Sequence, residues 1–413
     1  MHPTQSRQPS WARLPRAVIF LSLGILVWMA TNGSVLAQNE RKRTQEDDGK
    51  DAEGSIREFK WEVALGHDTN VYRAPSTPYL TGPGGTVVYP ATESGAFAMA
   101  DLSLWYFTNA KETAALAVGL EGNGDFYLDS AQTKANVYDT QITLGRLHRL
   151  GGSGARSDEL FYGIYRARNK ENYIDRDSGN IIAANKYSYS AEGVEVDYET
   201  WSGKDKYQLT GFFEARDYDT PAVGSEYDHD YLRLYPSALL RVADAMKLKV
   251  GYIYANRAYS LLAARDKTTA NLSTTPRNLT YHTLVLGMHN NLPGKWRLYL
   301  DYFNTNRVDA YQGYGDYTQH RGKARVKYGG KDQLEWELEI TRSYKDYPNA
   351  FAYENTLAPK LNTSYTNVNT VLSIPLGKNL TNTYGLEYRD ADSSDHRYDY
   401  ERGILTVGLK GEF

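Results

Sequence analysis

The chain has 413 residues, of which 47 are basic and 50 are acidic, and its formal net charge at neutral pH is −3. It contains no cysteine, which excludes disulfide bonds and thiolate metal sites. The lack of a basic excess argues against a nucleic-acid partner, so we predict none.

The N-terminus predicts export. Residues 1–16 carry three arginines and no acid, and the apolar run AVIFLSLGILVWMA follows them. Val35 and Ala37 then place small side chains before a cleavage point at Gln38, which is typical of a secretory signal peptide. The apolar run is shorter than the roughly 20 residues that a membrane-spanning helix needs. We therefore predict that residues 1–37 are a cleaved signal peptide.

The next segment, residues 38–57, is QNERKRTQEDDGKDAEGSIR. It is highly charged and almost free of large apolar side chains, so it cannot bury a core. We predict a disordered periplasmic tail. Without residues 1–37 the chain carries 44 basic and 50 acidic residues, a net charge of −6.

Residues 58–413 show one sequence pattern throughout. Segments in which apolar and polar residues alternate are separated by two kinds of connection. Short connections, such as 293–295 and 377–379, alternate with long polar ones, such as 172–186, 219–227, 260–278 and 346–363. Seven short and eight long connections predict 16 strands, with 14 to 18 as the range that misplaced boundaries would allow. The chain has 35 tyrosines against 11 phenylalanines. Tyrosine has an apolar ring and a polar hydroxyl, which suits a surface that meets an apolar phase at one end and water at the other.

This pattern favours a membrane barrel over a soluble β-sandwich. Several segments keep their alternation for ten or more residues, whereas soluble strands usually have about 5–6. Outer-membrane barrels have an even strand count, short periplasmic turns and long extracellular loops. The predicted fold class is therefore all-β: a transmembrane antiparallel up-and-down β-barrel of about 16 strands. Trp61, Trp296 and Trp336 share the parity of the apolar face, as an interfacial aromatic girdle requires.

The last strand carries outward apolar candidates at every second position: Leu405, Val407 and Leu409, before the terminal Phe413. This segment, LTVGLKGEF, resembles the C-terminal assembly signal of bacterial outer-membrane proteins, although Gly411 stands where a larger apolar residue is more usual. The resemblance implies that the barrel assembly machinery recognises this strand, which then closes the barrel against the first strand.

A second resemblance lies at the front of the barrel. Residues 64–75, ALGHDTNVYRAP, resemble the first strand and loop of outer-membrane β-barrel porins, including barrels associated with exopolysaccharide export and surface-lipoprotein translocation. This implies a location in the outer membrane of a Gram-negative bacterium, in contact with its lipid and lipopolysaccharide. Loop 70–95 either folds into the pore or covers its rim; the sequence leaves both open.

One predicted hairpin has a wholly basic face and a wholly acidic face. The basic face is Arg321, Lys323, Arg325 and Lys327, and the acidic face is Glu335, Glu337 and Glu339. A three-residue turn at 330–332 would set Lys327 opposite Glu335, Arg325 opposite Glu337 and Lys323 opposite Glu339. These residues are candidates for an ion-selective pore wall. The alternative is a ladder of ion pairs that holds the strand register.

A recurrent arginine near the outer ends of strands gives further pore-lining candidates. On the predicted lumen parity these are Arg216, Arg257, Arg307 and Arg389 on outward-running strands, with Arg233 and Arg402 on inward-running ones. A ring of arginines at one height would attract carboxylates or phosphates. Glu214, Asp301 and Glu387 accompany several of them, so internal pairing is the alternative.

The sequence predicts no enzyme and no cofactor. Its eight histidines form no zinc-binding motif, and in YDHDY (227–231) only Asp228 and Asp230 share a strand face. Asp390, Asp392 and Asp395 are spaced like oxygen ligands of Ca²⁺, but solvated loops are often this polar.

A barrel of 16 strands is wide enough to hold an aqueous channel. The first functional hypothesis is therefore a porin-like channel for the diffusion of small hydrophilic solutes, anionic ones included. The alternative is a dedicated barrel for export of an exopolysaccharide or surface lipoprotein, working with periplasmic partners. A third hypothesis is a plugged barrel with a structural or adhesive role.

Overall fold

The computed structural model describes residues 56–90, 92–108, 113–151, 158–171, 187–219, 227–330 and 333–413. Sixteen strands of this part of the chain form one closed antiparallel barrel, and a small hairpin, β2–β3, lies in the first loop. The strands are β1 (Ile56–Asp68), β2 (Tyr79–Leu80), β3 (Val87–Val88), β4 (Gly95–Phe107), β5 (Ala114–Tyr127), β6 (Val137–Gly151), β7 (Asp158–Lys170), β8 (Tyr189–Ser202), β9 (Asp205–Tyr218), β10 (His229–Arg241), β11 (Met246–Arg265), β12 (Leu272–Asn291), β13 (Trp296–Asp309), β14 (Tyr317–Tyr328), β15 (Glu335–Phe351), β16 (Lys360–Pro375), β17 (Leu380–Ser393) and β18 (Tyr400–Glu412). Single 3-10 turns cover Ser130–Ala135, Pro293–Lys295, Ala352–Glu354 and His396–Tyr398.

The predicted fold class is confirmed: every barrel strand pairs antiparallel with its neighbours along the chain, and β18 closes on β1. The predicted signal peptide (1–37) and residues 38–55 of the predicted tail lie outside the described residues. The barrel begins at Ile56, two residues before the predicted boundary at 58. Among the described residues, no helix has the length and apolar character to cross a membrane.

The outer face of the barrel is an apolar band. Leu65, Ile164 and Leu405, for example, expose 64%, 59% and 55% of their surface. Such an apolar surface is favourable in contact with lipid but not in contact with water. At the rim of short turns, Trp296 packs against Tyr328 and Trp336, with ring centroids 4.8 and 5.9 Å apart. In barrels of this kind such an aromatic girdle marks the membrane interface, and the short-turn rim faces the periplasm.

The seam between β18 and β1 is closed by the end of the chain. Phe413 N–H donates to the Phe59 carbonyl at 2.9 Å, Phe59 N–H donates back at 3.0 Å, and the two rings stack. Gly411 lies directly opposite Trp61, and a Cβ there would sit 2.8 Å from Cζ2 of that indole. The tryptophan ring occupies the space that a larger residue at position 411 would need, which accounts for the glycine.

Similar ring-over-glycine pairs line the inner wall. Phe97 is opposite Gly66 and Trp105 is opposite Gly119, and in each pair the aromatic ring lies flat over the glycine. Trp105 is only 7% exposed although it faces the lumen, because it packs on the wall and against Phe107. These pairs keep large aromatic side chains out of the central passage.

We expect Gly119→Val to destabilise the barrel by about 1–3 kcal/mol, the usual cost of overpacking. A Cβ at position 119 would lie 2.6 Å from Cη2 of Trp105, so the indole would have to leave the wall. Urea unfolding of the refolded chain in lipid vesicles measures the change. Gly322→Val is the matched control, because a Cβ there meets nothing within 4 Å. Equal unfolding midpoints for the two variants would contradict the packing argument.

The hairpin of β11 and β12 is longer than predicted. Both strands have 20 residues, so most of the predicted loop 260–278 is strand. The register is regular up to Ala258 and then shifts at Ala263 and Arg265. The hairpin therefore continues beyond the regular barrel wall towards the rim of long loops.

Candidate pore lining and its loop cover

The strand register places the six candidate arginines on the inner face of the wall. Tyr231 is opposite Arg257, Tyr281 is opposite Arg307, and Arg389 is opposite Arg402. Alternation along each strand then turns the intervening apolar residues outward. The arginines so placed are Arg216, Arg233, Arg257, Arg307, Arg389 and Arg402.

Charge on the inner face is divided between two opposite walls, a division that the sequence analysis missed. An acidic wall on β1 and β4–β8 carries Glu58, Glu62, Asp101, Glu121, Asp125, Asp139, Glu195 and Asp197. A basic wall on β10–β15 has an excess of cations: it carries Arg233, Lys247, Lys249, Arg257, Arg297, Arg307, Arg321, Lys323, Arg325, Lys327 and Lys345, against the fewer carboxylates Asp301, Asp309, Glu335, Glu337 and Glu339. Because these strands lie across the ring from each other, the lumen has a transverse electric field. The signal was present in the sequence, as the lumen-parity charges of successive strands.

The predicted register of the charged hairpin is wrong by two residues. Lys327 is opposite Glu337 and Arg325 is opposite Glu339, while Lys323 faces Thr341. The ladder ends at Tyr328 and Trp336, so the connection is longer than three residues; Gly329 turns the chain at a φ of 93°. Residues 331 and 332 of the predicted turn lie outside the described residues.

Long side chains nevertheless bridge the predicted partners diagonally. Lys323 Nζ lies 2.7 Å from Glu339 Oε2, Arg325 Nη1 lies 3.7 Å from Glu337 Oε1, and Lys327 Nζ lies 3.7 Å from Glu335 Oε1. Lys327 also contacts Glu337, the residue directly opposite it. The hairpin is thus an interlocked set of ion pairs, in which much of the charge is neutralised locally.

Three of the candidate arginines are held by carboxylates. Arg216 Nε donates to Glu214 Oε1 at 2.6 Å, and Arg389 pairs in the same way with Glu387, two residues earlier on its own strand. Arg402 pairs with Asp68 and is only 5% exposed. These three side chains face the lumen but contribute little net charge to it.

The other three have no carboxylate partner within the described part of the chain: Arg233, Arg257 and Arg307. Arg257 reaches only the hydroxyl of Tyr259, at 3.4 Å, and its Nε is buried without a hydrogen-bond partner. Arg307 Nε donates to the Gly315 carbonyl at 2.6 Å. These guanidinium groups keep their full positive charge towards the passage.

Tyrosines alternate with arginines on successive strands from β8 to β15 and form an Arg–Tyr band. Arg257 stacks on Tyr231 at 5.3 Å from the ring centroid, and Arg307 stacks on Tyr317 at 4.3 Å. The band runs through Tyr189, Arg216, Tyr231, Arg257, Tyr281, Arg307, Tyr317 and Tyr347. Cation–π contacts hold the guanidinium planes in place without neutralising their charge.

The first long loop folds into the barrel. Residues 70–75, apart from the half-buried Arg73, are buried against the lumen side of Ala64, Phe97, Met99 and Tyr127. Burial, with the nearby carboxylates of other loop residues, raises the pKa of the Tyr72 phenol, which therefore stays neutral. Of the two alternatives left open for loop 70–95, the structure shows the inward one for this segment.

A buried polar cluster fixes this loop to the wall. Arg402 Nη2 donates to Asp68 Oδ2 at 2.6 Å, and the Tyr127 hydroxyl donates to the same oxygen at 2.6 Å. Asn70 N–H donates to Asp68 Oδ1 at 2.8 Å, and the Asn70 amide donates to the Ala74 carbonyl. Asp68 is completely buried. The loop anchor, as we call Asp68, Asn70, Tyr127 and Arg402, is a second functional feature that the sequence analysis missed.

Further loops join the first one over the extracellular mouth. Ser76 N–H donates to the Asp399 carbonyl, and Tyr353 N–H donates to Asp395 Oδ2 at 2.9 Å. Glu354 of the β15–β16 loop pairs with Arg265 at 2.6 Å. Together these contacts make a partial cover; the predicted loop 172–186 and residues 220–226 of the predicted loop 219–227 lie outside the described residues.

The other candidate chemistry is dispersed. Asp228 accepts from Tyr218 N–H, while His229 faces the lumen beside Arg216 and Asp230 faces outward. Asp395 is held by Arg397 rather than joined to Asp390. Within the described ranges no group of His, Asp and Glu could hold a metal ion. The absence of enzymatic activity stays a prediction.

A closed 16-strand barrel with an apolar outer band and a charged lumen defines an outer-membrane β-barrel of the porin type, located in the outer membrane of a Gram-negative bacterium. No family model and no curated protein matches the chain.

Solved structures similar to it include OccAB3 of Acinetobacter baumannii (10% identity, TM-score 0.46, covering 87% of this chain and 99% of that one). They also include the outer membrane protein OpdK of Pseudomonas aeruginosa (9%, 0.41, 87% and 99%). A third is a bacterial polysaccharide outer membrane secretin (8%, 0.44, 88% and 100%). At these identities the likeness does not extend to function.

Proposed function

We propose that the protein is a channel for the diffusion of small hydrophilic solutes, with a preference for anions. The observation that carries the proposal is a set of lumenal arginines on the basic wall that have no carboxylate partner among the described residues: Arg233, Arg257 and Arg307. A guanidinium held away from bulk water attracts carboxylates and phosphates strongly.

The two walls add a second selective effect. A solute in the passage has the acidic wall on one side and the basic wall on the other, so a molecule with a dipole aligns across the barrel. The inward segment 70–75 packs against the upper part of the acidic wall, where Asp68 is paired with Arg402. The arginines of the opposite wall that have no carboxylate partner in the described ranges then supply positive charge to the passage.

Liposome swelling with solutes of equal size tests the proposal. Vesicles that contain the refolded chain are diluted into glucuronate, glucose or glucosamine, which differ in charge but hardly in shape. We expect swelling to be fastest with glucuronate and slowest with glucosamine. The proposal fails if no solute enters through a correctly folded barrel, or if glucosamine enters fastest.

A second candidate function is export of a polysaccharide, which the tyrosines of the Arg–Tyr band favour, because aromatic faces bind the apolar faces of sugar rings. Such a barrel would also need a periplasmic partner to deliver the polymer. Current recordings with acidic and neutral oligosaccharides added at the short-turn side distinguish an exporter from a diffusion channel. An exporter would show current block by long oligomers together with poor permeation of monosaccharides, which is the reverse of the diffusion channel.

A further inference from the structure

An apolar groove of about 650 Å³ lies on the outer face of β5–β10, apart from the lumen. Its walls are outward side chains that include Leu116, Leu144, Ile164, Val194 and Leu234, each of them exposed. At Gly211 the outer face has no side chain, so the floor of the groove is backbone, flanked by the exposed ring of Phe213. A depression of this shape suits a hydrocarbon chain.

One charged residue interrupts this apolar lining. Arg146 is exposed, faces outward and lines the groove, between Leu116 of β5 and Tyr162 of β7 in the register. Among the described residues it has no hydrogen-bond or ion-pair partner. A guanidinium that faces hydrocarbon is costly except near the interface, where it meets phosphate groups.

Arg146 has the height that such a contact requires. It lies five residues before the end of β6 and opposite the third residue of β5, near the rim of short turns. At this level we expect the lipid phosphates of the periplasmic leaflet. The two outward arginines of the neighbouring strand β7 lie towards the opposite rim and have acidic partners: Arg166 pairs with Glu192 at 3.6 Å, and Arg168 pairs with Asp219.

Two further polar groups stand beside the guanidinium. His148 Nε2 lies 3.2 Å from the Tyr162 hydroxyl, and the two rings stack with centroids 5.6 Å apart. Both side chains share the outward parity of Arg146. The edge of the groove therefore presents a cation, a phenol and an imidazole, which together can donate to the oxygens of one phosphate group.

We propose that Arg146, Tyr162 and His148 bind the phosphate of a glycerophospholipid from the periplasmic leaflet, and that the groove holds one of its acyl chains. A second copy of the chain is a poorer occupant. Outward carboxylates such as Glu192, Asp230 and Asp390 lie near the extracellular rim. At the short-turn rim, Asp158 and Asp205 already accept hydrogen bonds from their own barrel, so a copy inserted in the same direction offers a poor partner for Arg146. The proposal concerns the outer wall alone and does not depend on what passes through the lumen.

Native mass spectrometry of the full chain in detergent, titrated with phosphatidylglycerol, tests the proposal. We expect one lipid to bind tightly and Arg146→Gln to weaken that binding at least fivefold. Arg166→Gln is the matched control, an outward arginine on the neighbouring strand that should leave binding unchanged. Diacylglycerol, which lacks the phosphate, should bind the wild-type chain no better than Arg146→Gln binds phosphatidylglycerol.

Gly211→Val tests the groove separately, since it fills the floor while leaving the phosphate-binding groups in place. We expect this variant to weaken lipid binding as well, and heat-modifiable gel mobility shows whether it folds. If it does not fold, Tyr162→Phe replaces it as the second variant, with a smaller loss of binding expected. Equal lipid binding by the wild type and Arg146→Gln overturns the proposal. An Arg146-dependent oligomer without bound lipid overturns it too, and would assign this face to contact between copies.

Discussion

Replacing Arg402 with glutamine is expected to destabilise the barrel by roughly 3–5 kcal/mol, because it leaves the buried Asp68 carboxylate without its cation. Asp68 is completely buried and Arg402 is 5% exposed, so water cannot replace the lost partner. The loop anchor also holds residues 70–75 inside the barrel. We therefore expect larger single-channel conductance in the folded variant, as the loop leaves the lumen.

Urea unfolding and conductance measure the two effects on the same refolded sample. Arg168→Gln is the control, since its ion pair with Asp219 is more exposed and should contribute no more than about 1 kcal/mol. The double variant Asp68→Asn, Arg402→Gln should be more stable than the sum of the two single changes predicts. An Arg402→Gln barrel with wild-type stability and conductance would show that the anchor does not hold the loop.

The triple replacement of Arg233, Arg257 and Arg307 by glutamine is expected to abolish anion preference. A unit charge about 4 Å from an anion contributes about 1 kcal/mol even in water, so each arginine supports a permeability ratio on the order of fivefold. The fold should persist, because none of the three has a carboxylate partner among the described residues that the change would leave unpaired. Reversal potential in a salt gradient gives the measurement.

Two controls separate this effect from general loss of charge. Arg342→Gln removes an outward-facing arginine of β15 and should leave the reversal potential unchanged. Arg216→Gln removes a lumenal arginine that Glu214 already neutralises, so it should shift the potential towards cations through the carboxylate it releases. A reversal potential unmoved by the triple change would refute the role of the unpaired arginines.

The architecture of this barrel could be predicted because it depends on local signals. Strict alternation along β13, with Trp296, Leu298 and Leu300 on one face, identifies the lipid side without knowledge of any partner strand. The alternating short and long connections then set the strand count and direction. The apolar end of β18, with Leu405, Val407 and Leu409 outward, likewise indicated the closing strand.

The parts that could not be predicted depend on turn geometry, on contacts distant in sequence and on how side chains pair. The predicted register of the charged hairpin differs from the observed one by two residues. Gly329 turns at positive φ and lengthens the connection, and the alternation of residues does not show this. Asp68 and Arg402 are 334 residues apart, so nothing local shows that they pair under the first loop. Arginines of the same lumenal parity also differ in their ion pairing, which parity alone does not show. Arg216 pairs with Glu214, whereas Arg257 has no carboxylate in reach among the described residues.

The most direct test of the account is single-channel recording of the chain without residues 1–37, refolded and inserted into a planar bilayer under a salt gradient. The account predicts large, steady conductance steps with a reversal potential on the anion side. A correctly folded barrel that stays silent, or one that prefers cations, would contradict it.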